Sequence, residues 1–331
     1  MNTFSTDALV AHLKPIQPYL DSVDISEILV NRPQEIFIER KGQFEQVSIE
    51  ALNYQHLNRL GTLIANYNQK PFDSESPRLS GILPQGARVQ MIKSPILEKG
   101  KFALSIRKQV IADLTLDDFG DDFYHDVKLT FNANNKLADK TVKSDGYSKA
   151  CDVKNTLKEA IIKRKTIIVS GGTSTGKTTF LNACLKEINK NERLIVLEDT
   201  REIFIKQPNY LCLLAGNKGD SNQEQDMIEN LKASLRLRPD RILLGELRGG
   251  EAATFLEAAS TGHEGSFTTI HASTPTLALE RLCMLAERGG LRQQNREELR
   301  EYIATIVDVI VQLKRSPDGK RNISEILRLS V

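Results

Sequence analysis

The chain predicts an α/β fold with a parallel-type sheet, preceded by a smaller α+β domain. Three observations carry that expectation. From about residue 151 onward, short apolar runs alternate with helical stretches, the pattern of a parallel sheet with helices on both faces. One of those runs, Thr166-Ile167-Ile168-Val169, leads into Gly171-Gly172-Thr173-Ser174-Thr175-Gly176-Lys177-Thr178. That is a G-x-x-x-x-G-K-[ST] turn, which belongs between a strand and a helix. Ahead of it, residues 1–115 mix strand-like alternation with helical spacing.

The first domain, 1–115, contains a hairpin signal: Glu35 to Arg40, a turn at Lys41-Gly42, then Gln43 to Val47. Leu57, Leu60, Ile64 and Tyr67 recur at helical spacing. Arg88 to Ile92 and Phe102 to Arg107 alternate like strands, with Phe102, Leu104 and Ile106 on one face and Ser105 and Arg107 on the other. Residues 116–150 read as a linker or surface insertion: an acidic run, Asp117 to Asp122, of the kind that is ordinarily solvated, and a polar, turn-rich stretch around Asn132 to Lys136. The second domain, 151–331, opens with a helix over Val153 to Arg164. Strands follow at Leu194–Leu197, Arg241–Leu244 and Ser266–Ile270, and helices at Glu251–Ser260 and Thr276–Glu287.

Composition excludes several classes. The 331 residues carry a formal net charge of +2, which gives no global electrostatic case for nucleic acid. No apolar stretch approaches the ~18 residues of a membrane span. The start, Met1 to Ser5, does not read as a signal peptide. Cys151, Cys184, Cys212 and Cys283 form no C-x-x-C pair, which argues against zinc and a disulfide framework and for a reducing cytoplasm.

The glycine-rich turn is a phosphate cradle. Successive backbone N–H groups and the positive end of the following helix suit the anionic phosphates of a nucleoside triphosphate. Residues Gly171 to Thr179 would bind it; Lys177 would reach the β- and γ-phosphates, and Thr178 would join the Mg²⁺ shell. Hydrolysis needs carboxylates as well. Glu246, ending the strand after Ile242-Leu243-Leu244-Gly245, holds a Walker-B-like position from which it could bind Mg²⁺ or orient water. Glu198-Asp199-Thr200-Arg201-Glu202 follows another strand; one of its carboxylates could polarise the nucleophilic water, with Glu202 the candidate. His271 ends the third strand, where a histidine can donate to a γ-phosphate; His263 lies in the loop before it.

Four ordered blocks, Gly171–Thr178, Glu198–Glu202, Arg238–Gly249 and Thr261–Ala272, together resemble the Walker A, Asp box, Walker B and His box of the secretion and traffic ATPases. The wording of the third block is most similar to the VirB-type ring ATPase of type IV secretion, the eleventh component of its operon. The resemblance is dense over 166–275 and thinner elsewhere. It implies a RecA-like ATPase domain, a homohexameric ring, and Mg²⁺-dependent ATP hydrolysis that energises secretion, conjugative transfer or pilus assembly. It implies a cytoplasmic protein peripheral at the inner membrane, working with other secretion components including inner-membrane ATPases. It also implies two nucleotide-reaching arginines from the N-terminal domain, matching Arg88 and Arg107. No specific nucleic acid is implied. The alternatives are a type II secretion or pilus-retraction ATPase, disfavoured by the missing tetracysteine module, and a nucleic-acid motor. Two departures stand out: Ser174 occupies a position where the family often has glycine, and the polar stretch around 130–148 looks longer than a compact family linker.

Overall fold

The computed structural model describes residues 3–40, 43–108, 113–131, 150–215 and 223–329. The chain divides into two compact units, Met1–Val110 and Ile111–Val331.

The first unit begins with helices α1 (Thr3–Leu13) and α2 (Gln17–Asp21). Strands β1 (Ile25–Val30), β2 (Glu35–Arg40) and β3 (Gln43–Ser48), helix α3 (Tyr54–Tyr67), and strands β4 (Arg78–Ile82), β5 (Arg88–Ile92) and β6 (Ala103–Arg107) follow. The strands form one antiparallel sheet in the order β3-β2-β1-β6-β5-β4. The hairpin pairs Arg40 with Gln43; its expected turn at Lys41-Gly42 lies outside the described residues. Helix α3 starts where the Asn53 side chain accepts the His56 N–H at 2.9 Å, satisfying a donor the helix leaves open. It buries Leu57, Leu60 and Ile64, as their spacing predicts. Phe102, Leu104 and Ile106 are likewise buried. Arg88 and Arg107 are register partners on β5 and β6, so both guanidinium groups project from the same face of the sheet.

The second unit contains α4 (Asp121–Tyr124), β7 (Lys128–Phe131), α5 (Ala150–Ile162), β8 (Ile167–Gly171), α6 (Lys177–Leu185), β9 (Leu194–Glu198) and β10 (Tyr210–Leu214). It continues with α7 (Gln223–Ser234), β11 (Arg241–Leu247), α8 (Glu251–Ser260), β12 (Phe267–Ile270), α9 (Pro275–Arg288), α10 (Arg296–Ile306), β13 (Val309–Arg315) and β14 (Arg321–Arg328). The eight-stranded sheet runs β10-β9-β11-β12-β8-β13-β14-β7. From β10 through β13 it is parallel; β13 and β14 pair antiparallel as a hairpin. Side-chain alternation splits the strands between two cores. Ile167 and Val169 pack with α5 and α6, whereas Ile168 packs with α7 to α10.

The linker expected over 116–150 is corrected in its described part: residues 116–131 are a packed piece of the second unit. Leu116, Phe123, Tyr124 and Val127 are buried in its core. Phe119 and Phe123 meet Phe180 of α6 with ring centroids 5.9 and 5.7 Å apart, and β7 completes the sheet beside β14. The acidic run is anchored rather than merely solvated. Asp117 pairs with Lys154 at 2.9 Å and Lys158 at 2.7 Å, both on α5. The polar stretch 132–149 lies outside the described residues.

At the N-terminal edge of the sheet, Arg241 is fully buried. Its Nε and Nη2 reach the two carboxylate oxygens of Glu192 at 2.7 and 2.9 Å, and Nη1 donates to Ile161 O at 2.9 Å. A Cβ on Gly265 would approach Nη1 to 2.7 Å, so the guanidinium fills the space that a side chain there would need. Removing one partner of such a pair strands a buried charge. Glu192→Ala should cost about 3–5 kcal/mol of stability in urea unfolding, and Glu192→Leu combined with Arg241→Met should recover most of it; a loss below about 1 kcal/mol from the single change would contradict this account.

Candidate active site

The phosphate loop lies between β8 and α6, and its backbone dictates its residues. A Cβ on Gly171 would fall 2.5 Å from Thr175 Oγ1, which itself donates to Gly172 O at 2.9 Å. Gly176 has φ +88° and Ser174 φ +60°. Left-handed residues in a turn aim successive N–H groups into one concavity, the geometry that binds anions. Glycine adopts it freely, whereas an L side chain costs about 1–2 kcal/mol. Ser174, where the family often has glycine, therefore carries that strain. The Lys177 ammonium donates to Gly171 O at 2.9 Å and Gly172 O at 3.1 Å, which holds it over the loop. Arg321, at the start of β14, donates from Nε to Ser174 O at 3.1 Å.

Three other strands end at the same edge. Beyond β9, the three carboxylates of the Asp box have different surroundings. Glu198 is buried, and its Oε1 accepts the N–H groups of Glu202 and Ile203, each at 2.8 Å. Asp199 accepts from Arg248 Nη1 at 2.7 Å. Glu202 Oε2 accepts the Thr178 hydroxyl at 3.1 Å. Glu202 thus lies against the start of α6, beside the phosphate loop. Asn182, buried on α6, fixes this arrangement: its Nδ2 donates to Glu202 O at 2.9 Å and its Oδ1 accepts from Phe204 N at 2.8 Å.

Glu246 lies near the end of β11, where Arg248 Nε and Nη2 reach its Oε2 at 2.8 and 2.7 Å. One guanidinium therefore bridges Glu246 and Asp199. Thr269 Oγ1 donates to Gly245 O at 2.8 Å, tying β12 to this strand end. His271, just past β12, is held below the ordinary histidine range, first by burial and then by the Lys177 charge, with Glu246 pulling the other way. It is neutral near pH 7. His263 is at the opposite sheet edge, with Nδ1 3.1 Å from Ala258 O. Arg88 and Arg107 belong to the first unit, as register partners there.

Asn182, Arg248 and Arg321 escaped the sequence reading of the site. Asn182 had a signal, a lone amide inside the apolar run Phe180 to Leu185. Arg248 stands two positions after Glu246, and alternate residues at a strand end share a side. Arg321 is 147 positions from its partner, and no local pattern marks it.

The donor set fits Mg²⁺ carried on a nucleotide. Hydroxyl and carboxylate oxygens are the hard ligands Mg²⁺ takes, and it is usually held by one or two side chains plus phosphates and water. Among the described residues, no cluster of three or more His, Cys, Asp or Glu side chains is grouped to hold a metal by itself.

A family model described as type II/IV secretion system protein matches residues 132–325. The type IV secretion system protein VirB11 of Brucella suis is 36% identical over 95% of this chain and 88% of its own length. Two solved structures share the fold at 19% identity. The ATPase DotB of Legionella pneumophila has a TM-score of 0.61, with 97% of this chain and 81% of that one covered. The pilus retraction motor PilT with bound ADP has a TM-score of 0.63, with 96% and 82% covered.

Burial is the main cause that raises Glu198 to about 7, against the two N–H bonds that favour its charge. An acid raised in this way adds stability that is complete below its ordinary 4.5 and is lost as pH climbs through about 7. Glu198→Gln keeps the acceptor and removes the charge. It should leave the melting temperature unchanged at pH 5 and raise stability at pH 8 by about 1–3 kcal/mol; an equal effect at both pH values would refute the buried-acid account.

Proposed function

The chain belongs to the type II/IV secretion system protein family, in its VirB11 branch, and from that premise we propose how its residues divide the work of ATP hydrolysis. The protein is a type IV secretion traffic ATPase. One observation supports the division of labour below: the phosphate loop, Glu202 and His271 follow the parallel strands β8, β9 and β12, and Glu246 lies near the end of β11, at one sheet edge. That edge is where ligands bind in such sheets.

The loop amides and the N-terminus of α6 bind the phosphates. Lys177 exchanges its two loop carbonyls for β- and γ-phosphate oxygens, a swap that keeps its donors satisfied. Mg²⁺, when bound, neutralises charge developing on the phosphates. Thr178 contributes its hydroxyl to the ion and Glu246 its carboxylate. Glu202 accepts a hydrogen bond from the Thr178 hydroxyl, the position from which it orients water. Arg248 bridges Glu246 and Asp199 and offsets the repulsion between them. His271, neutral, donates a hydrogen bond to the γ-phosphate without adding charge. We assign Arg88 and Arg107 a catalytic role as cations toward the phosphates.

We assign the active form to a homohexameric ring that couples turnover to the other secretion components, including inner-membrane ATPases. Heterologous contacts that close make rings. Among the described residues, no helix is long and apolar enough to cross a membrane. The assigned location is peripheral, at the cytoplasmic face of the inner membrane.

Lys177→Ala should reduce phosphate release at least ~100-fold with little change in the nucleotide-free melting temperature. Arg88→Ala and Arg107→Ala should each reduce kcat by about 10- to 100-fold. Normal turnover in the lysine variant would sink the assignment. Native mass measurement with ATP and Mg²⁺ should find a sixfold assembly; monomer alone at micromolar concentration would exclude the ring.

A further inference from the structure

We propose that Arg321 is a positioning residue for the phosphate loop: it holds the left-handed turn at Ser174, which serine adopts only at a cost. The proposal rests on the nucleotide-binding reading of that loop and adds a residue from outside its motifs.

The argument starts from the backbone. The loop has two left-handed residues, Ser174 and Gly176, on either side of Thr175. Gly176 adopts its conformation freely, but at Ser174 a Cβ crowds the neighbouring carbonyl. If Ser174 relaxes to negative φ, the peptide that follows it rotates. The Thr175 N–H then turns away from the concavity, and the nest loses a donor. A strained residue persists when its surroundings over-determine it.

Arg321 supplies that constraint from the far end of the chain. β13 pairs with β8 in register as far as Leu313 opposite Gly171, which carries the β13–β14 hairpin alongside the loop. From β14, Arg321 Nε donates to Ser174 O at 3.1 Å. Its Cδ lies 3.3 Å from where a Cβ on Gly176 would stand. One side chain thus spans both left-handed residues: the guanidinium fixes the carbonyl of one, and the stem covers the other. Across the hairpin Arg321 is the register partner of Arg315, which sets the position from which its side chain reaches the loop.

An ordinary surface arginine on a carbonyl and a strain-holding arginine differ in one respect. Only the second depends on which residue occupies position 174. The test is a double-mutant cycle on the full chain, read by binding of a fluorescent ADP analogue. Arg321→Ala should raise Kd about five- to tenfold, the range that a left-handed penalty of this size implies. In the Ser174→Gly background the same substitution should change Kd less than about twofold, because glycine holds the turn unaided. Arg321→Lys, which keeps the stem and a donor, should fall between. Equal losses in both backgrounds would overturn the proposal, since they mean that Arg321 touches the nucleotide itself. No loss in either background would overturn it too. A second readout works without ligand: amide exchange at Thr175 and Gly176 should quicken in Arg321→Ala, and unchanged exchange would count against the clamp. Wild-type protein that fails to bind the analogue, yet shows the exchange effect, would sink the nucleotide reading and leave the clamp standing.

Discussion

In-register parallel pairing of β9, β11, β12 and β8 is the constraint on which the site depends. Leu197 sits beside Leu244, Leu244 beside Thr268, and Ile270 beside Ser170. Strands aligned in this way end at one level. Whatever follows each of them is delivered to one edge, although Glu202, Glu246 and His271 are far apart in sequence. Two-faced burial explains why the register holds. Each strand divides its apolar side chains between two cores, so a one-residue slip would send every side chain to the wrong core.

A site that gathers so many charges must keep them from cancelling or repelling. Here the acids are separated by environment. Burial holds Glu198 near 7, and two N–H groups fix its orientation. That carboxyl shapes the Asp-box turn. Asp199 and Glu246 share Arg248, which offsets their repulsion. Glu202 remains the acid turned toward Thr178. One pentapeptide thus yields three roles from three surroundings.

Much of this was legible in the sequence because it is local or periodic. The phosphate loop declares itself by glycine spacing. The hairpin β2–β3 and helix α3 follow from alternation and 3.6-residue spacing, and β8, β9, β11 and β12 from apolar runs. What was not legible depends on long-range pairing. β13 and β14 were missed, and so was β7, which lies in a stretch that reads as a polar linker yet adds to the sheet beside β14. Its neighbour Phe119 is one aromatic in an acidic run, and only its packing against Phe123, Tyr124 and Phe180 ties it to the core. The same limit applies to the carboxylates. The acidic pentapeptide and its candidate Glu202 came from the sequence, but the contact of Glu202 Oε2 with the Thr178 hydroxyl at 3.1 Å is a long-range one that no local pattern shows.

Ser174 shows how a departure from a motif can be read physically. Glycine is favoured there because the turn needs positive φ, and the structure has φ +60° at that serine. Serine therefore holds the left-handed conformation here at a cost that glycine would not carry. A loop that glycine would hold through its own freedom must instead be held by neighbours: Thr175 Oγ1 on Gly172 O from within, and Arg321 on Ser174 O from the hairpin. The two constraints differ in reach. The first is internal to the loop and moves with it. The second ties the loop to β14, which is hydrogen-bonded to β13 on one side and β7 on the other. Displacement of that hairpin would thus bear on the Ser174 carbonyl, and through it on the amides that face the phosphates.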